Sequence, residues 1–415
     1  MRVSDVVPDG AAASGTKKMH RDGTDRLVSP TETVERARPF FSAMGITRVA
    51  NVTGLDFLGV PVVMACRPNS RSLAVSQGKG LTLDAARASA VMEASELYHA
   101  EHITLPLVLA TLNEMADTVP VADVSHFVTR DGRDFPPNRT LLWIEGRELV
   151  SGEPIWLPYD VVHTDYRAAS LGRYAAHTLR VTSNGLASGN HLLEATSHAL
   201  CELIERDANR RWELQPSDKW SRTRLDLDSV DDAGCREILD RLAAGKLGVA
   251  VWETTTAIGI PSFTCLVAEN PRHAILPLYS AEGQGCHPRR EIALLRALSE
   301  AVQARLTAVS GMRDDMGRSE YHRWRDRRTL ERNWTVLSRG GGIRDFRAIP
   351  TYSHASFEED IALQIGRLRS VGIDQVIVVD LTRPEIGLPV VRAVVPGLLD
   401  NIPAPRRVDC LGRQR

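Results

Sequence analysis

Apolar positions along the chain switch between two periods. Two β-branched runs, Ile46 to Leu55 and Val60 to Arg67, flank Asp56-Phe57-Leu58-Gly59 and predict a hairpin. Ala85 to Glu101 has helical spacing and good helix formers, and further helices are expected over His191 to Trp212, Arg289 to Leu306 and Phe357 to Ser370. Strands are expected at Thr140 to Glu145 and Glu148 to Leu157, with a turn at Gly146 between them. Val249 to Thr255 and Ser262 to Val267 read as another strand pair, as do Gln375 to Asp380 and Val390 to Val395. Hairpin strands mixed with long helices predict an α+β (mixed α/β) fold, not a regular parallel doubly wound sheet. Residues 1–30 are polar and aperiodic and read as a flexible N-terminal arm, 31–400 as the folded body and 401–415 as a C-terminal tail.

Three of these helices carry one pattern, x-Ala-apolar-x-Glu-x-x-(Glu or Gln). The copies are Ser89 to Glu96, His198 to Glu205 and Arg296 to Gln303. Glycine-containing segments precede them: Ser76-Gln77-Gly78-Lys79-Gly80, Ser183-Asn184-Gly185 and Gly283-Gln284-Gly285, all expected as loops. At about 100° per residue, Ser89, Glu93 and Glu96 fall within about 60° of one another, and Glu194 and Glu205 differ by about 20°. Arg305 lies about 180° from Arg296, so it reaches the same face only if the helix ends or bends near Gln303. Carboxylates at i and i+3 repel and destabilise a helix by a few tenths of a kcal/mol. A single Glu-x-x-Glu is ordinarily a solvated face. Three such faces behind glycines instead suggest a shared cation. Mg²⁺ takes oxygen ligands and is held by carboxylates together with substrate phosphates. Lys79, Arg206 and Arg305 are the candidate phosphate partners.

Composition narrows the classes. Lys+Arg 51 against Asp+Glu 52 excludes a basic nucleic-acid coat and an acidic tail. No apolar run approaches the roughly 18 residues of a membrane span, and Met1-Arg2-Val3-Ser4-Asp5 opens no secretory signal. The expectation is a cytoplasmic enzyme without nucleic acid or membrane, with a homodimer as a possible assembly. Cys66, Cys201, Cys235, Cys265, Cys286 and Cys410 form no C-x-x-C pair, so they read as reduced thiols without structural zinc. Cys201 reads as core packing. Cys286 beside His287 has two readings, a sulfur carrier with a base or a bystander thiol. Tyr321 to Arg328 mixes aromatics and arginines and reads either as a solvated basic face or as a peptide contact. No G-x-x-x-x-G-K-[ST] occurs, and Gly283-Gln284-Gly285 lacks the third glycine of G-x-G-x-x-G. A nucleotide site here is neither a P-loop nor a Rossmann site.

Four ordered blocks resemble the YcaO family of ATP-utilising, peptide-backbone-activating enzymes. They are Ser89-x-x-x-Glu93-x-x-Glu96, Thr182 through Asn190, Glu194 through Asp207, and Arg296 through Arg305. The resemblance implies a YcaO-like catalytic domain over 31–400 that uses ATP and Mg²⁺. It implies Glu93, Glu96, Glu202 and Glu205 as metal carboxylates. Ser89, Lys79, Ser183, Asn184, Glu194, Arg206 and Arg305 would be nucleotide contacts, and Arg206, Arg305, Glu300 and Gln303 the catalytic set. The resemblance also implies Arg26 and Thr33 as N-terminal nucleotide contacts. Arg21 to Pro30, Ile46 to Asp56, Cys66 to Ser72 and Leu388 to Leu398 look most like the TfuA-associated branch. That branch implies a TfuA-like partner, a precursor peptide or protein substrate, a sulfur donor and a thioamide product. Pro403-Ala404-Pro405-Arg406 departs from the Pro-x-Pro-x-Pro tail common among azoline-forming relatives. Cyclodehydration of Cys, Ser or Thr stands as the first alternative, and a non-catalytic peptide-binding scaffold as the second.

Overall fold

The computed structural model describes residues 16–130, 132–167, 178–272, 280–319, 321 and 326–399. The expected tail 401–415, Cys410 and residues 322–325 of the aromatic–arginine run lie outside the described residues.

Helix α1 (Pro30–Ala37) leads into an antiparallel meander, β1 (Arg48–Asn51), β2 (Val62–Cys66) and β3 (Val75–Lys79), and then into the long α2 (Leu83–Glu101). After β4 (Leu107–Ala110), α3 (Leu112–Ala116), β5 (Leu141–Glu148), β6 (Pro154–Pro158) and β7 (Leu186–Ser188) comes α4 (Leu192–Glu213). Helix α5 (Ser217–Thr223), β8 (Leu225–Asp226) and α6 (Ala233–Ala244) precede a second meander. It comprises β9 (Leu247–Glu253), β10 (Ser262–Glu269) and β11 (Ala281–Cys286), followed by α7 (Arg290–Ser310). Helix α8 (Arg327–Ser338), β12 (Arg344–Asp345), α9 (Phe357–Ser370), β13 (Ile377–Asp380) and β14 (Val390–Val394) complete the described chain. Strands β4-β5-β13-β14-β7 form a mixed-order sheet to which β6 adds beside β5; β8 and β12 make a short parallel pair. The α+β reading holds. The two meanders share one core with α6 and α7 that includes Val62, Met64, Val251 and Phe263, while α4 and α9 pack over β14.

The glycine segments expected as loops in front of α2 and α7 are strands, β3 and β11. Their glycines let strand and helix backbones touch. A Cβ on Gly78 would lie 2.1 Å from the Ala86 carbonyl oxygen and the Ala90 nitrogen. One on Gly285 would lie 2.1 Å from the Ala293 oxygen and 2.7 Å from the Ala297 nitrogen. The facing helix positions are fully buried alanines, Ala86, Ala90, Ala293 and Ala297. Thus β3–α2 and β11–α7 are two copies of one close-packed unit. Gly146, expected at a turn, lies inside β5, which pairs with β6 and β13. A Cβ there would come within 3.0 Å of the Ile377 side chain, and the turn falls instead at Gly152, where φ is 78°.

Residues 16–29, expected within a flexible arm, pack against the body. Lys18 is buried between Asp25 and Asp360, and the Leu27 N–H donates to Glu194 over 2.8 Å. Residues 1–15 lie outside the described residues. The arm reading missed this because its apolar content is low and its docking is ionic.

A Cβ forced between strand and helix backbones can be relieved only by shifting one of them. Gly78→Ala and Gly285→Ala are therefore expected to lose about 1–3 kcal/mol or more in urea unfolding. Gly366→Ala, on the exposed face of α9 with open space around it, should gain up to about 1 kcal/mol.

Candidate active site

The Glu-bearing faces of α2, α4 and α7 meet in one recess, and neighbouring strands orient their carboxylates. The Gln77 N–H donates to Glu93 over 2.8 Å, and the Gln284 N–H donates to Glu300 over 3.3 Å. These are equivalent contacts in the two strand–helix units. The Gly185 N–H donates to Glu202 over 3.2 Å. Glu96 accepts from both the N–H (2.8 Å) and the hydroxyl (2.7 Å) of Ser188 on β7. Cross-links tie the units into a ring. Lys79 on β3 reaches Glu300 on α7 at 2.7 Å, Gln303 donates to Gln77, and Arg206 on α4 donates to the Gln284 side chain on β11 over 2.9 Å.

Ionisation differs among the groups of the recess. Burial pushes the carboxyls of Glu93 and Glu205 up to about 7 and that of Glu96 up to about 8. Glu300 goes the other way: burial opposes its charge, but Lys79 and Arg206 outweigh burial. Arg206 is held firmly protonated, because Glu205, Glu202 and Glu300 outweigh its own desolvation. On the other side, burial and the charges of Arg296, Arg26 and Lys79 hold His198 well below the usual imidazole range. His198 is therefore neutral among cations. The recess thus has a carboxylate pole and a guanidinium–ammonium pole that meet directly: Arg206 lies 3.4 Å from Glu202 and 3.9 Å from Glu205, and Lys79 lies 2.7 Å from Glu300.

The structure brings together Glu93, Glu96, Glu202, Glu205, Glu300, Gln303, Lys79 and Arg206. Ser89 lies one turn before Glu93 on α2, and Asn184 lines a cavity beside Arg206. Ser183 is exposed just before Gly185. Glu194 is buried toward residues 16–29, accepting from the Leu27 N–H and from Asn190, with Arg26 at 3.6 Å.

Arg305 is not in the recess. Helix α7 continues to Ser310 without ending near Gln303, and Arg305 points to its far side. There it is buried in ion pairs with Asp56 (2.6 Å) and Glu269 (2.5 Å) over the Phe57 ring. Its expected contact with phosphates is corrected: it is a structural counter-ion. Arg296, which occupies the repeat position of Ser89 and His198, supplies the guanidinium on α7. Running the repeat back into the preceding strands would have found Gln77 and Gln284 as well. Cys286 is a buried thiol: burial and the adjacent Cys201 thiol push its ionisation far up, and burial takes His287 down to about 3.

The donor set fits a metal–polyphosphate. Glu205 Oε2, Arg206 Nε and Arg296 Nε are buried without hydrogen-bond partners, so acceptor and donor capacity is unused on both poles. Glutamate oxygens are the hard ligands Mg²⁺ requires, and guanidinium forks match phosphate oxygens.

The family model "YcaO cyclodehydratase, ATP- and Mg²⁺-binding" matches residues 77–399. A protein of the tfuA 3′ region from Rhizobium leguminosarum bv. trifolii is 37% identical over 382 residues, covering 91% of this chain and 89% of that one. A protein from Methanothermobacter thermautotrophicus is 32% identical over 388 residues, covering 92% and 97%. Among solved structures, a heterocyclase in complex with substrate and cofactor aligns with a TM-score of 0.76 at 22% identity, over 96% of this chain and 55% of that one. YcaO from Methanopyrus kandleri, bound with AMPPCP and Mg²⁺, aligns with a TM-score of 0.71 at 23% identity, over 94% and 99%. The recess and these matches make the class plain, an ATP- and Mg²⁺-dependent peptide-modifying enzyme. The chain belongs to the YcaO family. Among the described residues no helix is long and apolar enough to cross a membrane.

Two outcomes follow from this geometry. A carboxyl raised by folding favours the folded state below its unfolded value of 4.5 and loses that advantage as pH rises through 7 to 8. Metal-free protein should therefore lose thermal stability between pH 5 and 8, and Glu96→Gln should raise the melting temperature at pH 8 but not at pH 5. The two arginines of α7 should also separate. Arg305→Met leaves Asp56 and Glu269 unpaired and should cost about 3 kcal/mol in urea unfolding with nucleotide affinity retained. Arg296→Met should instead weaken Mg·AMPPCP binding by about tenfold with little loss of stability.

Proposed function

We propose that this chain uses ATP to activate a peptide backbone amide and replaces the amide oxygen with sulfur, alongside a TfuA-like partner. The observation that carries the chemistry is the pairing of a carboxylate pole with a cationic pole in one recess. That arrangement serves phosphoryl transfer by positioning and electrostatics and requires no nucleophilic triad. Glu93, Glu96, Glu202 and Glu205 are the residues that would hold Mg²⁺, which when bound neutralises charge on the phosphate oxygens. Lys79, Arg206 and Arg296 are the residues that would hold the phosphates, and Ser89, Ser183 and Asn184 those that would contact the rest of the nucleotide. Glu300 holds Lys79, and Gln303 holds Gln77, so both keep strand β3 in register with the recess. A cavity lined by Phe127, Thr182, Leu203 and Val394 borders Arg206 and Asn184 at the edge of the recess.

Sulfur adds to the amide carbon, and the carbonyl oxygen takes the γ-phosphoryl group of ATP. That oxygen leaves as phosphate, so the products are a thioamide, ADP and phosphate. The thioamide branch rests on the relative from the tfuA 3′ region. The family model's description and the heterocyclase neighbour support a second product, an azoline formed by an internal Cys, Ser or Thr.

The test is ATP turnover by the purified chain with Mg²⁺, candidate peptide, sulfide and TfuA-like protein, with peptide mass read from the same reaction. Thioamidation adds about 16 Da, whereas cyclodehydration removes about 18 Da after the same activation. Glu202→Gln should lower turnover by about 10²-fold or more if it orients the phosphoryl-transfer charge. Cys286→Ser should leave turnover intact with sulfide supplied. A chain that binds neither ATP nor Mg²⁺ under any combination would instead be a peptide-binding scaffold.

A further inference from the structure

Residues 16–29 carry a buried charge cluster that the recess chemistry does not use. The Lys18 ammonium lies 3.0 Å from Asp25 and 2.5 Å from Asp360, with all three side chains at most 1% exposed. The second oxygen of Asp25 takes Arg289 at 3.2 Å, and the second oxygen of Asp360 takes His354 at 2.9 Å. The main chain docks as well, through the Lys18 N–H to the Ala355 oxygen and the Thr16 N–H to Glu358 on α9. Asp25, His287 and Asp360 bring donor atoms within 4.8 Å of one another, as in a metal site. The ammonium of Lys18 already fills that grouping, so it is an ion-pair latch.

The latch leads directly to the recess. Beyond Lys18 the chain doubles back, with the Met19 and His20 N–H groups both donating to the Arg26 oxygen. Leu27 then docks on Glu194. This turn places Arg26 3.6 Å from Glu194 and 29% exposed; Glu194 stands one turn before His198 on α4, and the Arg26 charge is felt at His198. Apolar packing would bury this segment at lower cost than three desolvated charges, so the cluster's return is a fixed placement rather than stability.

We propose that Lys18, acting through Asp25 and Asp360, is a positioning residue for nucleotide binding: it fixes the strap 16–29 so that Arg26 completes the cationic pole. This rests on the nucleotide reading above. The test is calorimetric binding of Mg·AMPPCP to the full chain, wild type, Lys18→Met, Arg26→Gln and the double variant, with limited proteolysis of residues 19–29 alongside. Each single variant should weaken binding by about tenfold through lost preorganisation, and the double variant should be no weaker than Arg26→Gln alone. Lys18→Met should also open the strap to protease, whereas Lys17→Met, at an exposed neighbour, should change neither readout. Arg289→Gln, which loosens Asp25 while leaving Lys18 in place, gives a milder loss in the same direction if Lys18→Met does not fold. Losses that simply add, or unchanged affinity in a folded Lys18→Met with an open strap, overturn the proposal. A wild-type chain that binds no Mg·AMPPCP overturns the nucleotide reading and the positioning role together.

Discussion

The site depends on the contact between glycine strands and alanine helices. At Gly78 and Gly285 the strand backbone lies directly on the helix backbone. That spacing brings the Gln77 and Gln284 N–H groups within hydrogen-bond reach of Glu93 and Glu300. Glu93, Glu96, Glu202 and Glu300, carboxylates of faces that would repel on free helices, are each pinned by a neighbouring N–H or hydroxyl. The recess is a consequence of how two equivalent strand–helix units and α4 close on one another. Cross-unit pairs such as Lys79 with Glu300 and Arg206 with Gln284 keep the ring closed.

The same packing explains the electrostatics. Desolvation raises Glu93, Glu96 and Glu205 toward neutral pH, while hydrogen-bond donors and neighbouring cations limit the rise. Glu300 remains charged chiefly through Lys79 and then Arg206, and Arg206 through Glu205, Glu202 and then Glu300. Such a set is poised rather than satisfied. Its unused atoms, Glu205 Oε2, Arg206 Nε and Arg296 Nε, leave both acceptor and donor capacity open in the recess.

Much of this was legible in the sequence because it is local. The 3.6-residue period located α2, α4, α7 and α9, and the thrice-repeated Glu pattern located the recess. What failed was non-local. Glycines before the helices look like loops until the helix they touch is known, and Gly146 looks like a turn until β13 lies against it. Lys18 gives no periodic signal, since its partner Asp360 is remote in sequence. Arg305 matched a motif position, but its distance around the helix from Arg296 already pointed away from the site. The structure settles that conflict in favour of geometry.

The most direct measurement is proton release on nucleotide binding. Calorimetric titration of AMPPCP at pH 7, with and without Mg²⁺ and in buffers of different ionisation enthalpy, reads it out. Carboxyls held near neutrality must ionise to become metal ligands, so Mg²⁺-dependent binding should release about one proton or more. Equal binding without Mg²⁺ and no proton release would contradict the claim that these buried glutamates form the metal pole.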